Sequence, residues 1–264
     1  MNDTLDGASR LHYIVGDPIA QVKSPAGVTQ AFAEHGCNAI CVPAHVAPAH
    51  LADWVRGVSL AHNVDGIIVT VPHKFACTDL CASTSERAAF LHTVNTMRRN
   101  ADGSWHGDMF DGLGFVTAMQ DNGGQPAGKK ALLVGAGGAG SAIAHALVMA
   151  GVRELAIFDP DEQRRAALVE RLAGLNRCPV GHGSADPTGF DIVINATPVG
   201  MKESDPYPLD VTKLDARMFC GCVITAPAIT PFIAAARAKG CSTMTGTDMF
   251  ARVRDLMVDF LLGK

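Results

Sequence analysis

The chain has 264 residues, a hydrophobic fraction of 48% and a formal net charge of −4. This length allows one large domain or two modest ones with a sizeable core, and the acidic balance predicts neither a nucleic-acid partner nor an anionic membrane surface. The polar start Met1-Asn2-Asp3-Thr4-Leu5-Asp6 has no signal-peptide character, and no apolar run reaches the ~18–20 residues of a membrane span. The eight cysteines and ten histidines show no metal-ligand spacing, so no metal is expected and the thiols read as reduced in a cytoplasmic protein.

Leu11–Val15 reads as a strand. Ser24-Pro25 reads as an N-cap with proline at the first helical position, opening a helix to about His35. Ala39–Val42 is a second strand, and Pro48 to about Leu60 a helix with Leu51, Trp54, Val55 and Val58 at helical spacing. Gly66–Val71 is a near-continuous apolar, β-branched run, as in a buried parallel strand. Ser83-Thr84-Ser85-Glu86 reads as a capping box, and residues 93–106 as a hairpin around Asp102-Gly103. Asp111 opens a helix to about Asp121. Asn122–Gly128 is a breaker cluster and reads as the clearest domain boundary. Strands at Ala131–Val134, Leu155–Phe158, Asp191–Ile194 and near Cys220–Ile224 alternate with helices from about Gly138, at Glu162–Leu172, at Pro231–Lys239 and at Asp248–Leu262. The expected fold is α/β with two domains. Residues 1–110 form a substrate domain and 111–245 a Rossmann-type dinucleotide domain, with a last helix, about 246–264, packing back on the first.

The stretch Lys130–Gly140 carries the strongest local signal. An apolar run ends in Gly135-Ala136-Gly137-Gly138-Ala139-Gly140, and a helical pattern follows at once. Strand, G-x-G-x-x-G turn and helix is the context a dinucleotide site requires. The first glycine permits the tight turn, the second a close approach of backbone to pyrophosphate, and the third close packing of helix on strand. Glu154–Phe158 then ends in Asp159, about 20 residues beyond the last glycine, where a ribose-binding carboxylate is expected. An acidic Asp159-Pro160-Asp161 run disfavours a 2′-phosphate, so NAD is expected as cofactor and NADP is the less favoured alternative.

Ligands of open α/β sheets lie beyond the carboxyl ends of the strands, which draws attention to Gly16, Thr70, Lys74, Asn95, Asp111, Asn195 and Thr197. A lysine can move the proton of a substrate hydroxyl when its surroundings bring it toward neutrality. On spacing alone, however, the stronger reading of Lys74 is a solvated loop charge, and the simplest reading of Asp111 is an acidic residue at a helix start.

The motifs, taken in order, weigh against those bland readings. Gly16-Asp17-Pro18-Ile19, Lys23-Ser24-Pro25, Val69-Thr70-Val71-Pro72-His73-Lys74, Val94-Asn95-Thr96, Gly107-Asp108-Met109-Phe110-Asp111-Gly112, the glycine loop and Asn195-Ala196-Thr197-Pro198-Val199-Gly200-Met201 together resemble the shikimate dehydrogenase family over nearly the whole chain. The resemblance implies reversible NAD(P)-linked oxidation of shikimate, quinate or a related cyclic hydroxy acid, the chemistry of the shikimate pathway and aromatic amino acid biosynthesis. It implies Lys74 and Asp111 as the catalytic pair and Ser24, Thr70 and Asn95 as substrate contacts. Gly135, Ala136, Gly137, Gly138, Ala139, Asp159, Asn195, Thr197 and Gly246 are the implied cofactor contacts.

The chain also departs from the family pattern. Val22 stands where the family has serine, Ile68 where it has asparagine, and Met109-Phe110 where it has Asn-Thr. Thr225 stands for a tyrosine and Val253 for a glutamine on the last helix. Loss of groups that read a polar substrate discriminates strongly against it, so altered specificity is expected, although Ile68, Val253, Met109 and Phe110 also read as plain core. The other reading is a cofactor-binding regulatory or partner-binding protein with little catalysis. A monomer or homodimer is expected.

Overall fold

The computed structural model describes residues 5–264; Met1–Thr4 of the polar start lie outside the described residues. The chain divides into two units. Unit 1 holds the residues up to Phe110 together with Arg254–Lys264, and unit 2 holds Asp111–Val253.

Unit 1 begins with β1 (Arg10–Gly16), α1 (Ser24–Glu34), β2 (Ala39–His45), α2 (Leu51–Ser59) and β3 (Val64–Val69). A five-residue 3₁₀ segment at Ala76–Leu80 leads to β4 (Ser83–Thr84), α3 (Glu86–Leu91), β5 (Thr96–Arg99) and β6 (Trp105–Asp108). The sheet order is β2-β1-β3-β5-β6-β4. β1 runs parallel to β2 and β3, whereas β5 is antiparallel to β3 and β6 to β5. The sheet is therefore mixed. Ile14, Val15, Val28, Phe32, Ile67, Val69 and Met97 are buried around it, as the apolar runs of β1 and β3 require.

Unit 2 opens with α4 (Asp111–Asp121), then β7 (Lys130–Val134), α5 (Gly138–Met149), β8 (Glu154–Phe158), α6 (Glu162–Ala173), β9 (Val180–His182) and β10 (Ile192–Asn195). It continues with β11 (Phe219–Cys222), α7 (Pro231–Ala238), β12 (Ser242–Met244) and α8 (Gly246–Leu261), whose last turns belong to unit 1. The order is β12-β11-β10-β7-β8-β9, with every neighbouring pair parallel. Read from the β9 edge, this is the doubly wound order, with its switch point between β7 and β10.

The sequence reading differs from the structure in local detail. Lys23, not Ser24, is the residue before the first turn of α1, and it offers no side-chain cap; Ser24 is already helical and buried. No capping box forms at Ser83–Glu86, because Ser83 and Thr84 pair with β6 and Ser85 alone caps α3, accepting from Ala88 N–H at 3.2 Å. The Asn122–Gly128 cluster connects α4 to β7 inside unit 2. The short strands β9 and β12 carry too few residues for their periodicity to be read.

Candidate active site

The carboxyl ends of the parallel strands of unit 2 gather the glycine loop (after β7), Asp159 (after β8), Asn195 (in β10), Thr225 (after β11) and Gly246 (after β12) on one edge of the sheet. The three glycines of the G-x-G-x-x-G pattern, Gly135, Gly137 and Gly140, do different work. Gly135 has φ +108°, a conformation other residues rarely adopt. A Cβ on Gly140 would stand 2.0 Å from the Gly135 carbonyl oxygen, so this glycine lets α5 press onto the end of β7. Gly137, the residue before the first turn of α5, faces open space, with nothing within 4 Å of a Cβ built on it. Ala136, Gly138 and Ala139 complete the loop, and the first N–H groups of α5 have no partner inside the helix. Partly exposed backbone at a helix N-terminus, with no side chain near Gly137, fits a pyrophosphate, and the residues present fit a dinucleotide.

Asp159 is buried, and its two carboxylate oxygens accept backbone N–H bonds from Ala136 at 2.7 Å and Asp161 at 2.9 Å. It thus ties the loop to β8. Asp161 has the more exposed carboxylate and is paired with Arg164 at 3.2 Å. The Asn195 side chain bonds within its own turn, accepting from Thr197 N–H at 3.0 Å and Oγ1 at 2.7 Å and donating to the Val199 carbonyl at 3.0 Å. Asn195 and Thr197 shape the wall against which Gly135 packs, since a Cβ at Gly135 would meet Ala196 and Thr197. Gly246 lies against the Ile224 carbonyl, beside half-buried Thr225. Asp111, at the first position of α4, is buried. Val253 is buried on Gly114.

In unit 1, the carboxyl ends of β1, β2 and β3, the start of β5 and the end of β6 share an edge, because Ile68 pairs with Thr96 and Thr96 with Asp108. This edge carries Val22 on the loop after β1, Ser24 at the first position of α1, Ile68 within β3, and Thr70 and Lys74 just beyond it. Lys74 is half-buried, and its carbonyl accepts from Val94 N–H at 3.0 Å, fixing the loop. His73 is buried and bonds the Val46 carbonyl through Nε2 at 2.8 Å; it ties the loop after β3 to the loop after β2. The Asn95 side chain accepts from the Phe110 N–H at 3.1 Å and from Thr96 Oγ1 at 3.1 Å. Ile68 is buried in the strand.

Sequence reasoning missed Arg87. Its Nη2 donates to Asp108 at 2.5 Å and its Nε to the Met109 carbonyl at 3.0 Å. An arginine on a short helix gives no spacing signal that would have found it. Among the described residues no His, Cys, Asp or Glu cluster can hold a metal, and no helix is long and apolar enough to cross a membrane.

A doubly wound unit with a glycine loop at its switch point, joined to a second α/β unit, defines a dinucleotide-dependent oxidoreductase. The family model described as "Shikimate dehydrogenase substrate binding domain" matches residues 14–97, and the ThiF family model matches residues 126–165. A shikimate dehydrogenase (NADP(+)) of Rubrobacter xylanophilus is 36% identical over 92% of this chain and 87% of its own. The ligand-free 5-ketofructose reductase of Gluconobacter sp. strain CHM43 superposes with a TM-score of 0.87 at 29% identity, over 97% of this chain and 94% of that one. The quinate dehydrogenase of Corynebacterium glutamicum, in complex with NAD, superposes with a TM-score of 0.88 at 28% identity, over 97% and 94%. The chain belongs to the shikimate dehydrogenase family, oxidoreductases acting on a CH–OH group.

Proposed function

We propose that the protein is an NAD(P)-linked dehydrogenase that interconverts a secondary hydroxyl and a ketone on shikimate, quinate or a related cyclic hydroxy acid. The observation that carries this reading is the glycine loop, in which Gly135, Gly137 and Gly140 have the three separate geometries a bound pyrophosphate needs. Gly135–Ala139 and the N-terminus of α5 would hold the dinucleotide, which when bound supplies the hydride acceptor or donor. Oxidation also requires that the hydroxyl lose its proton. Lys74 exchanges that proton at Nζ, and Asp111 is the partner carboxylate that orients the hydroxyl. Ser24, Thr70 and Asn95 bind the substrate.

NAD is the proposed cofactor, with Asp161 beside Asp159 as the acidic face toward the ribose. The relatives from Rubrobacter xylanophilus and Rhodospirillum rubrum are both named for NADP(+), which favours NADP; the acidic run is what speaks for NAD. Arg164 is this chain's candidate for a 2′-phosphate, but its guanidinium is held by Asp161 and lies 3.9 Å from Asp159.

The similarity to a 5-ketofructose reductase favours a second reading of the substrate: an uncharged polyhydroxy ketone, consistent with Val22 where the family has a serine hydroxyl. Absorbance at 340 nm with shikimate, quinate and 5-ketofructose, each paired with NAD(H) and NADP(H), tests both. Turnover of shikimate or quinate supports the first substrate class, and reduction of 5-ketofructose alone supports the second. Cofactor binding without turnover of any of the three favours a regulatory protein.

A further inference from the structure

We propose that Arg87 is a positioning residue for the reaction, fixing the segment Asp108–Phe110 through which the chain enters α4 at Asp111. The inference rests on the role given to Asp111 above.

Met109 and Phe110, between the end of β6 at Asp108 and the start of α4, form an irregular junction, and side chains hold it. The Asp108 carbonyl accepts from Asn95 N–H at 2.9 Å, and the Phe110 N–H donates to Asn95 Oδ1 at 3.1 Å. Met109 N–H donates to the Asp108 carboxylate at 2.6 Å. Arg87 then touches all three residues. It donates to the Asp108 carboxylate at 2.5 Å and to the Met109 carbonyl at 3.0 Å, and its guanidinium carbon lies 5.0 Å from the centroid of the Phe110 ring. Phe110 packs in turn on Phe260 at 5.3 Å. Ser85, the cap of α3, also donates to the Asp108 carboxylate, so the ion pair is fastened to the helix that carries it.

Asp108, Met109 and Phe110 are all buried. Without Arg87, the Met109 carbonyl loses its side-chain donor and the Asp108 carboxylate its counter-ion, in surroundings where both are costly to leave unpaired. The junction would relax, and the first residue beyond it is the proposed orienting carboxylate. A displacement on the order of 1 Å of a positioned group costs ~10²-fold in rate. Arg87 is also where this chain's departure at Phe110 finds a partner, because a guanidinium stacks on an aromatic face.

The test uses Arg87→Lys and Arg87→Met in the full chain. Lysine keeps the charge opposite Asp108 but lacks the planar fork that also reaches the Met109 carbonyl. Three readouts are taken: turnover on the best substrate found, dinucleotide affinity by calorimetry, and hydrogen exchange by mass spectrometry over residues 109–112. The expected result is a kcat lower by roughly 10-fold for Arg87→Lys and ~10²-fold for Arg87→Met, with substrate KM and dinucleotide Kd each within about threefold of the unmodified protein. Exchange over 109–112 should quicken in the same order. An unchanged kcat in folded Arg87→Met overturns the proposal, as does a loss of kcat with exchange unaltered or a matching loss of dinucleotide affinity. If the unmodified protein turns over no substrate, the dehydrogenase reading has failed and this proposal falls with it. That outcome is recognisable because it is seen before any variant is made.

Discussion

Two glycines of one loop should respond to the same substitution in opposite ways. In Gly140→Ala the new methyl would lie 2.0 Å from the Gly135 carbonyl oxygen. Ordinary carbon–oxygen contacts are ~3.3 Å, so α5 and the end of β7 must separate by roughly 1 Å. Both sides of that contact are backbone, which cannot turn away as a side chain can. Overpacking of this kind costs ~1–3 kcal/mol, while the better helix propensity of alanine returns ~0.5–1 kcal/mol; the expected net loss is ~1 kcal/mol and at most ~2.5 kcal/mol. In Gly137→Ala the methyl meets nothing within 4 Å, and φ is −71°. Replacing a capping glycine costs up to ~1 kcal/mol, and the stiffer unfolded chain returns ~0.4–1 kcal/mol, so stability should change by less than about 1 kcal/mol. The methyl nevertheless occupies the surface to which a pyrophosphate must come close, and dinucleotide Kd should rise at least ~10-fold, equivalent to ~1.4 kcal/mol. Differential scanning calorimetry and titration calorimetry read the two effects separately. Wild-type dinucleotide affinity in Gly137→Ala, or wild-type stability in Gly140→Ala, would refute the assignment of separate roles.

Lys74→Ala should lower kcat by roughly 10²–10⁴-fold with little change in dinucleotide affinity, and near-full turnover by this variant would remove Lys74 from the mechanism. NAD should bind at least ~10-fold more tightly than NADP, and Asp161→Ser should narrow the gap; equal affinities in the unmodified protein, measured by calorimetry, would count against the acidic run as the selector. His12 is buried with neither ring nitrogen hydrogen-bonded, and burial lowers its pKa from 6.5 to about 4. Because the unfolded chain takes up the proton first, stability should be level above pH ~6.5 and fall as the pH drops toward about 4, by ~3 kcal/mol at ~1.4 kcal/mol per pH unit. His12→Leu should flatten that slope in urea unfolding followed by Trp54 and Trp105, which both report on unit 1; an equal slope in the variant would show that other groups set it.

The dinucleotide unit was legible because its signals are local and redundant. β7 and β8 each carry an apolar run of four residues, after Lys130 and after Glu154, and a glycine turn between strand and helix admits few other readings. What the sequence could not convey was where polar side chains spend their hydrogen bonds. Asp159 stands where a ribose carboxylate is expected, yet both its oxygens are engaged by backbone N–H groups. Asn195 and Thr197 satisfy each other within one turn. Arg87 and Asp108 lie 21 residues apart, and the pairing of β4, which leads into α3, with β6 brings them together. The mixed sheet of unit 1 was hidden for a similar reason. An antiparallel strand paired to one edge of a parallel set carries the same residues as any other hairpin strand.

The positions at which this chain departs from the family pattern illustrate the same limit. Ile68 lies inside β3, paired across to Ile14 and Thr96 and buried. Val253 is buried, and a Cβ on Gly114 would stand 2.3 Å from its Cγ2 and 2.9 Å from its backbone nitrogen, so α8 and α4 are in close contact there. Both residues have packing work that by itself accounts for an apolar side chain. Polar replacements at these two sites risk burying unsatisfied groups, at ~1–3 kcal/mol each. Val22 and Thr225 are different: each is half-buried on a loop beyond a strand end, where neither ladder pairing nor core packing dictates the residue. A departure where the fold did not dictate the residue is better evidence about a ligand than a departure inside a strand. The specificity of this chain is therefore best sought at Val22 and Thr225, and a gain of shikimate turnover in Val22→Ser with Thr225→Tyr carries more weight than any result at Ile68 or Val253.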